Sequence, residues 1–160
     1  SSNLTLKDAV AGTVTLDYLA KGECARVYHN VNQSIADGIW TPIALNSERF
    51  DTDGIHDTVT NNSRLTCKTP GKYQISGTLD FEPNSTGTRW IAIRVNGTTY
   101  ISNHSEAPLS AFDTQMSIST LYELTINDYV ELMTYQSSGG ALIVVATANQ
   151  SPEFMMVRVA

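Results

Sequence analysis

The chain has 160 residues, of which 41% are hydrophobic and only 16% are charged, and its formal net charge is −6. A domain of this size buries a core without disulfides or metal ions, and the hydrophobic content excludes a disordered chain. The acidic balance argues against nucleic acid or an anionic membrane surface as a partner, and no apolar run approaches the roughly 18 residues of a membrane span. Ser, Thr and Asn together supply 45 residues, which favours strands and turns over helices.

Residues 1–22 differ from the rest of the chain, with short apolar pieces on either side of Ala11-Gly12. This stretch is either the first strands of the domain or an N-terminal arm. We favour an arm, because the patterned sequence from Ala25 onward is sufficient for a core. We expect the arm to attach a domain at residues 23–160 to a neighbouring subunit or a larger particle by strand addition or wrapping. The expected attachment residues are Leu4, Leu6, Val14 and Leu16.

Beyond the arm, apolar and polar residues alternate, which is the pattern of strands with one buried face. The clearest case runs from Lys72 to Glu82, and Asn96-Gly97 is typical of a tight hairpin turn. The predicted strands lie at 25–31, 40–45, near 65–67, and at 72–82, 89–95, 98–101, 116–124, 129–136, 141–148 and 154–159. Roughly eight to ten short strands, with turns about every 8–12 residues, predict an all-β sandwich or jelly roll.

Five segments then stand in a recognisable order, at residues 50–57, 69–77, 93–97, 128–132 and 151–154. The sequences Pro-Gly-Lys-Tyr at 70–73 and Ser-Pro-Glu-Phe at 151–154 are the most specific of them. Together they resemble the globular-head domain shared by complement component q and the tumour necrosis factor superfamily. The resemblance covers about 25–160 and implies a two-sheet antiparallel jelly roll that forms a homotrimer.

The resemblance is closer to versions of this domain on phage and bacterial structural proteins than to animal ones. The chain shows no collagen-like stalk, no visible signal peptide and no cysteine framework. Asn127-Asp128 also stands where the family has Gly-Asp, which removes support for an animal receptor specificity. The resemblance therefore implies a virion structural protein, a knob or cap that contacts other virion proteins. The alternative is a receptor- or carbohydrate-binding module at a phage fibre tip or on a bacterial surface, with a host glycan or receptor as its ligand.

Two of the predicted strands carry apolar or aromatic residues on both faces. One sandwich core covers only one face of a strand, so the second face needs a partner, and a three-fold axis supplies one. The alternative is that loops or the arm cover that face within one subunit. The expected trimer-interface residues are Tyr129, Met133, Tyr135, Phe154 and Met156.

Little in the sequence indicates catalysis. None of the three histidines, His29, His56 and His104, lies in a nucleophile motif, so we predict a protein that is not an enzyme and has no catalytic residues. The acidic stretch at residues 51–57 offers Asp51 and Asp53 as calcium ligands. The alternative is a turn rich in Asp, and we expect no other cofactor or metal.

Two further groups of residues leave alternatives open. Cys24 and Cys67 either form one disulfide or are two buried free thiols, and we favour free thiols because two cysteines are not a disulfide framework. Trp40, Trp90 and Tyr100 either stack on sugars or dock on proteins from the surface, or pack in the core. For each of the three we favour the core.

Overall fold

A computed structural model of the chain describes residues 22–160, which form twelve β-strands. No helix in this range is long and apolar enough to cross a membrane. The strands are β1 (Cys24–Tyr28), β2 (Gln33–Ile35), β3 (Thr41–Pro42), β4 (Ser47–Asp51), β5 (Arg64–Thr66), β6 (Gly71–Phe81), β7 (Arg89–Val95), β8 (Thr99–Glu106), β9 (Thr114–Leu124), β10 (Tyr129–Gln136), β11 (Leu142–Val144) and β12 (Glu153–Arg158).

The strands form two antiparallel sheets. One has seven strands in the order β2-β11-β6-β12-β1-β4, and β9 pairs with the other edge of β6. The other has five strands in the order β3-β10-β7-β8, and β5 also pairs with β10. All pairings between named strands are antiparallel. The fold is therefore the two-sheet jelly roll that the sequence predicts.

The core lies between the two sheets and follows the alternation in the sequence. Tyr73, Ile75 and Leu79 of β6 face inward and are fully buried. They are in one apolar cluster with Val130 and Leu132 of β10. Burying one such side chain stabilises the fold by roughly 1.5–3 kcal/mol, so the inward faces of β6 and β10 hold the two sheets together.

Turns containing Asn fix the register at one end of the sandwich. Asn96 and Gly97 both have positive φ, at 51° and 70°, which is the requirement of a type I′ hairpin turn. The Asn96 side chain accepts a hydrogen bond from the Tyr129 N–H at 2.9 Å and donates one to Asp128 at 2.7 Å. Asn127 adopts φ 69°, a conformation that Asn tolerates better than other non-glycine residues. Asn127 can therefore stand where the family that the sequence resembles has Gly.

The structure differs from the sequence prediction mainly at short strands. β2 and β4 were not predicted, because one has three residues and the other ends in an acidic stretch typical of turns. The strand predicted at 40–45 is limited to Thr41–Pro42, and that at 141–148 to Leu142–Val144. In contrast, β8 extends to Glu106, well beyond the predicted end at 101. The expected arm lies outside the described residues.

Candidate functional site

Four aromatic side chains meet on the outward face of the five-stranded sheet. Trp90 of β7 and Tyr135 of β10 are direct cross-strand partners. Tyr100 of β8 pairs with Arg94, further along the same face. Trp40 directly precedes β3, whose Thr41 pairs with Thr134 beside Tyr135. We call Trp40, Trp90, Tyr100 and Tyr135 the aromatic surface.

Trp40 is the centre of the aromatic surface. Its ring centroid lies 5.2 Å from that of Tyr100, 5.5 Å from Tyr135 and 6.3 Å from Trp90, with tilted or edge-on geometries. Such pairs contribute about 0.5–1.5 kcal/mol each beyond the area that they bury. Trp40 remains 36% exposed and Tyr100 41%. The rings thus pack against one another while two of them still face solvent.

A second apolar layer lies beneath these rings. Ala92 and Met133 are cross-strand partners on the same outward face, and both have no exposed surface. Neither is in the cluster between the sheets. Along the strands, this pair is followed on one side by Trp90 and Tyr135 and on the other by Arg94 and Glu131. Because Ala92 and Met133 are fully buried in the single chain, residues of the same chain cover Met133.

A buried carboxylate is at the next outward position. Glu131 accepts two hydrogen bonds from the Arg94 guanidinium, at 2.7 and 3.2 Å, and one from Ser63 at 3.0 Å. Arg64 approaches the same carboxylate at 3.7 Å and lies 4.0 Å above the Tyr129 ring. Burial alone would lower the pKa of Arg94, but the Glu131 carboxylate raises it above its usual value. The charge of Arg94 is therefore paired within the protein.

The loop next to the aromatic surface is anchored by a buried cation. Arg89 is fully buried, and its guanidinium donates to the main-chain carbonyls of Asn84, Thr86 and Thr88 at 3.0–3.1 Å. Burial lowers the pKa of Arg89 from its usual value. The Thr88 hydroxyl in turn accepts a hydrogen bond from the Trp90 indole N–H at 3.2 Å. The buried arginine thus fixes the loop that holds one ring of the aromatic surface.

The outward face of the seven-stranded sheet is different in composition. In one cross-strand row Val157, Gln74 and Leu121 are neighbours, and in the next Met155, Ser76 and Ser119. Phe50 of β4 is at the opposite edge of this face and is 48% exposed. We call this surface the seven-stranded face; its members are Phe50, Gln74, Ser76, Ser119, Leu121, Met155 and Val157. None of them carries a charge.

Charged residues cluster at one end of the seven-stranded face. Glu153 is almost fully buried and is hydrogen-bonded by Arg26 at 2.6 Å and Arg49 at 2.8 Å. Beside it, Asp80 lines a pocket of about 520 Å³ that Arg26 and Glu153 also line. Burial, and secondly the nearby Asp113, raises the pKa of Asp80 above its usual value. These groups form a charged rim at this end, and Arg26 lies between Phe50 and Met155 in the register. At the other end, Lys72 and Glu123 are an exposed cross-strand pair next to Gln74 and Leu121. The uncharged residues therefore form a strip with charged residues on both sides.

Two of the residues expected at a trimer interface are in the protomer core. Phe154 and Met156 are fully buried and contribute to the cluster between the sheets. The prediction for these two is wrong because alternation shows that β12 has two apolar faces but not which of them points inward. Met155 and Val157 occupy the outward face instead. Tyr129, Met133 and Tyr135 are outward, but on the opposite sheet, so the five residues do not share one surface.

The acidic turn is held by its own backbone. One carboxylate oxygen of Asp51 accepts hydrogen bonds from the N–H groups of Asp53 and Ile55, and the other from that of His56, all within 3.1 Å. Within residues 22–160, no group of three His, Cys, Asp or Glu side chains is arranged to hold a metal ion. Among the described residues, Asp51 and Asp53 therefore have no third side chain beside them to complete the predicted calcium site. Asp51 instead accepts the backbone hydrogen bonds that hold the turn.

The two cysteines lie on different sides of the seven-stranded sheet. Cys24 pairs with Val157 on the outward side, whereas Cys67 is fully buried in the core. Both are free thiols, so the disulfide considered for them does not form. The Cys67 thiol donates to the Thr69 carbonyl at 3.2 Å. Burial raises the pKa of Cys67 above its usual value.

Sequence reasoning named three rings of the aromatic surface but favoured the core for each. It did not bring them together, and it assigned Tyr135 to a subunit interface. The signal was present in the pattern, because Trp90 and Tyr135 alternate with the buried residues Ile91 and Leu132 and therefore lie on the outward phase of their strands. The pairs that Glu131 and Glu153 form with arginines were also missed, because their partners lie far away in sequence.

No family model and no curated protein matches this sequence, but solved structures share its fold. Murine APRIL at pH 8.0 matches with a TM-score of 0.67 and 10% identity, over 87% of this chain and 100% of that chain. Eiger TNF from S. frugiperda matches with 0.64 and 13%, over 87% and 93%. The globular domain of zebrafish complement 1qA matches with 0.62 and 13%, over 86% and 98%. The fold is therefore a jelly roll of the complement-q and tumour-necrosis-factor type.

Proposed function

We propose that this chain is a non-enzymatic structural protein of a virion, a homotrimeric jelly-roll knob or cap that residues 1–22 attach to the particle. The resemblance to phage and bacterial versions of the domain supports the setting, and the fold supports the architecture. The described residues offer no support for nucleophilic catalysis. His56 bonds Glu48 and the Asn62 carbonyl, His104 approaches Glu106, and none of the histidines in residues 22–160 hydrogen-bonds a Ser or Cys side chain.

The observation that carries the proposal is the composition of the seven-stranded face. Leu121 is 56% exposed and Val157 38%, and the polar residues between them are uncharged. Removing such a surface from water gains apolar burial without desolvating a charge. The charged rim borders this strip on one side and the pair Lys72 and Glu123 borders it on the other, where charged groups remain hydrated at the border of an interface. We therefore place the contacts between protomers on this face.

Light scattering after size exclusion tests this assembly on the full chain. We expect a mass of three times 17.4 kDa for the wild type. Leu121→Asp brings three carboxylates into the proposed interface and is expected to yield monomers at micromolar concentration. Val59→Asp is the matched control, because Val59 is highly exposed and lies outside the seven-stranded face. A monomeric wild type, or a Leu121→Asp variant that stays trimeric, refutes this assignment.

The second candidate is a receptor- or carbohydrate-binding module at a phage fibre tip or on a bacterial surface. The aromatic surface favours it, because partly exposed rings are suited to stacking on a ligand. The two candidates differ in which part of the chain acts. A chain without residues 1–22 is expected to lose attachment to particles if it is a cap. The same truncated chain keeps its ligand if it is a binding module.

A further inference from the structure

We propose that the aromatic surface is a saccharide-binding site that takes a neutral sugar ring against Trp40 and Tyr100. The proposal rests on the second candidate function and gives it a site and a class of ligand. Pyranose rings present C–H bonds whose hydrogens are weakly positive, and the face of an aromatic ring is negative. A sugar face and an indole face therefore attract each other while the sugar hydroxyls remain in water.

The site is rigid before any ligand arrives. Trp40 packs against three other rings, and Ala92 and Met133 on the same face are completely buried. Trp90 is held through its indole N–H by Thr88, whose carbonyl is bound by the buried Arg89. Binding to such rings orders few additional rotamers, so little conformational entropy is lost. This arrangement favours a ligand that stacks on a preformed surface.

The charges around the site indicate a neutral sugar. Asn103 and Ser105 are the register partners of Ala92 and Trp90 on the edge strand β8, and both are polar without charge. The nearest cation on the same face is Arg94, and Glu131 holds it with two hydrogen bonds. An anionic sugar would need an unpaired cation, because a charge-assisted bond supplies much of the affinity for a carboxylate. Asn and Ser side chains instead suit hydroxyl groups.

The size of the exposed surface distinguishes a sugar from a protein partner. Trp40 is 36% exposed and Tyr100 41%, which leaves on the order of 200 Å² of exposed surface on these two residues. A stable protein interface needs roughly 800 Å² from each partner. The two exposed rings meet at an interplanar angle of 49°. A patch of this size matches one or two sugar rings.

Tryptophan fluorescence of the full chain reports on this site alone, because Trp40 and Trp90 are its only two tryptophans. The probes are immobilised neutral oligosaccharides of glucose, galactose, mannose and N-acetylglucosamine, with sialylated oligosaccharides alongside. The strongest binder is then titrated in solution. We expect a neutral oligosaccharide to shift or quench the emission. No response to any neutral probe, or a response to sialylated probes alone, overturns the proposal.

Variants then locate the binding. Trp40→Ala is expected to weaken binding at least about tenfold and Tyr100→Ala about fivefold, whereas Phe112→Ala, an exposed aromatic outside the surface, stays within about twofold. Tyr100→Ala also serves if Trp40→Ala fails to fold. Unchanged binding in both overturns the site. The mass of each sample is read in parallel, so a trimer that binds no sugar removes this inference and leaves the assembly standing. A sugar-binding monomer does the reverse.

Discussion

On the outward side of the five-stranded sheet, Trp40 is surrounded by three rings, whereas on the outward side of the seven-stranded sheet Leu121 stands beside Gln74 and has no apolar cover. The first surface buries most of its apolar area within the protomer. The second surface leaves the apolar side chains of Phe50, Leu121 and Val157 partly exposed to solvent. This difference supports the two uses proposed for the exposed apolar residues, a small ligand site on one sheet and a broad face for association on the other.

The largest expected difference in unfolding free energy is between a buried and an outward residue of β12. We expect Phe154→Ala to cost about 3–5 kcal/mol of unfolding free energy, because the side chain is fully buried between the sheets. The loss should be the same at every protein concentration. Val157→Ala, three residues later, should cost less than about 1 kcal/mol in a dilute monomer. Urea unfolding at two concentrations measures both, and a concentration-dependent loss for Phe154→Ala would return that residue to an interface.

Removing the central ring should have a smaller effect. Trp40→Ala removes the ring against which three others pack and is expected to cost about 2 kcal/mol, less than for a fully buried Trp, because Trp40 is 36% exposed. Phe50→Ala is the matched change on the seven-stranded face. It should leave a dilute monomer within about 0.5 kcal/mol of wild type. Thermal unfolding compares the two, and equal losses would show that both faces are covered to the same degree.

The charged rim of the seven-stranded face predicts a pH dependence. The pKa of Asp80 is raised in the folded protein, so the folded state holds the proton to a higher pH than the unfolded chain. Stability from this group is present below its ordinary pKa of 3.8 and is lost as the pH rises through the folded value. Asp80→Asn should therefore raise the melting temperature by a few degrees at pH 7 and not at pH 3.

The companion groups of Asp80 provide the control for this pH dependence. Asp113, Arg26 and Glu153 lie near Asp80 and are present in both proteins, so only the difference between wild type and variant is used. Asp113→Asn should reproduce part of the rise in melting temperature at pH 7, because it removes a negative charge near Asp80. A variant that is less stable than wild type at pH 7 would contradict the assigned direction.

The smallest expected effect concerns the thiol of Cys67, which is buried in the core between the sheets. In a Cys24→Ser chain, Cys67 is the only cysteine. Burial raises its pKa, so it forms little thiolate and is shielded from reagents. We expect no labelling by a maleimide or a disulfide reagent until guanidinium unfolds the chain. Rapid labelling of the native chain would show that this end of the core opens.

Local patterns predicted much of the fold. The bounds of β7 and β10 match the structure, because alternation extends over their full length and turn residues flank them. The hairpin at Asn96-Gly97 is confirmed because its conformational requirement is local. β4 was missed because its acidic end resembles a turn. In the structure Asp51 serves both purposes, since it ends the strand and accepts three backbone hydrogen bonds.

The candidate sites were less predictable, because they depend on which residues meet across the sheets. Alternation gives the phase of β12 but not which phase points inward, so Phe154 was placed on the wrong side. Trp40 reaches Tyr100 from 60 residues away in sequence, across two strands of the sheet. No local signal encodes that distance. The pairing of Glu131 with Arg94 likewise follows from the register of β10 and β7.

The position of β12 between β6 and β1 also governs when the protein can fold during synthesis. β12 is made after all the other strands, yet β1 and β4 join the seven-stranded sheet only through it. β1 and β4, which pair with each other, therefore cannot join that sheet until β12 has been synthesised. Such long-range pairing makes folding slow and exposes the nascent chain to aggregation.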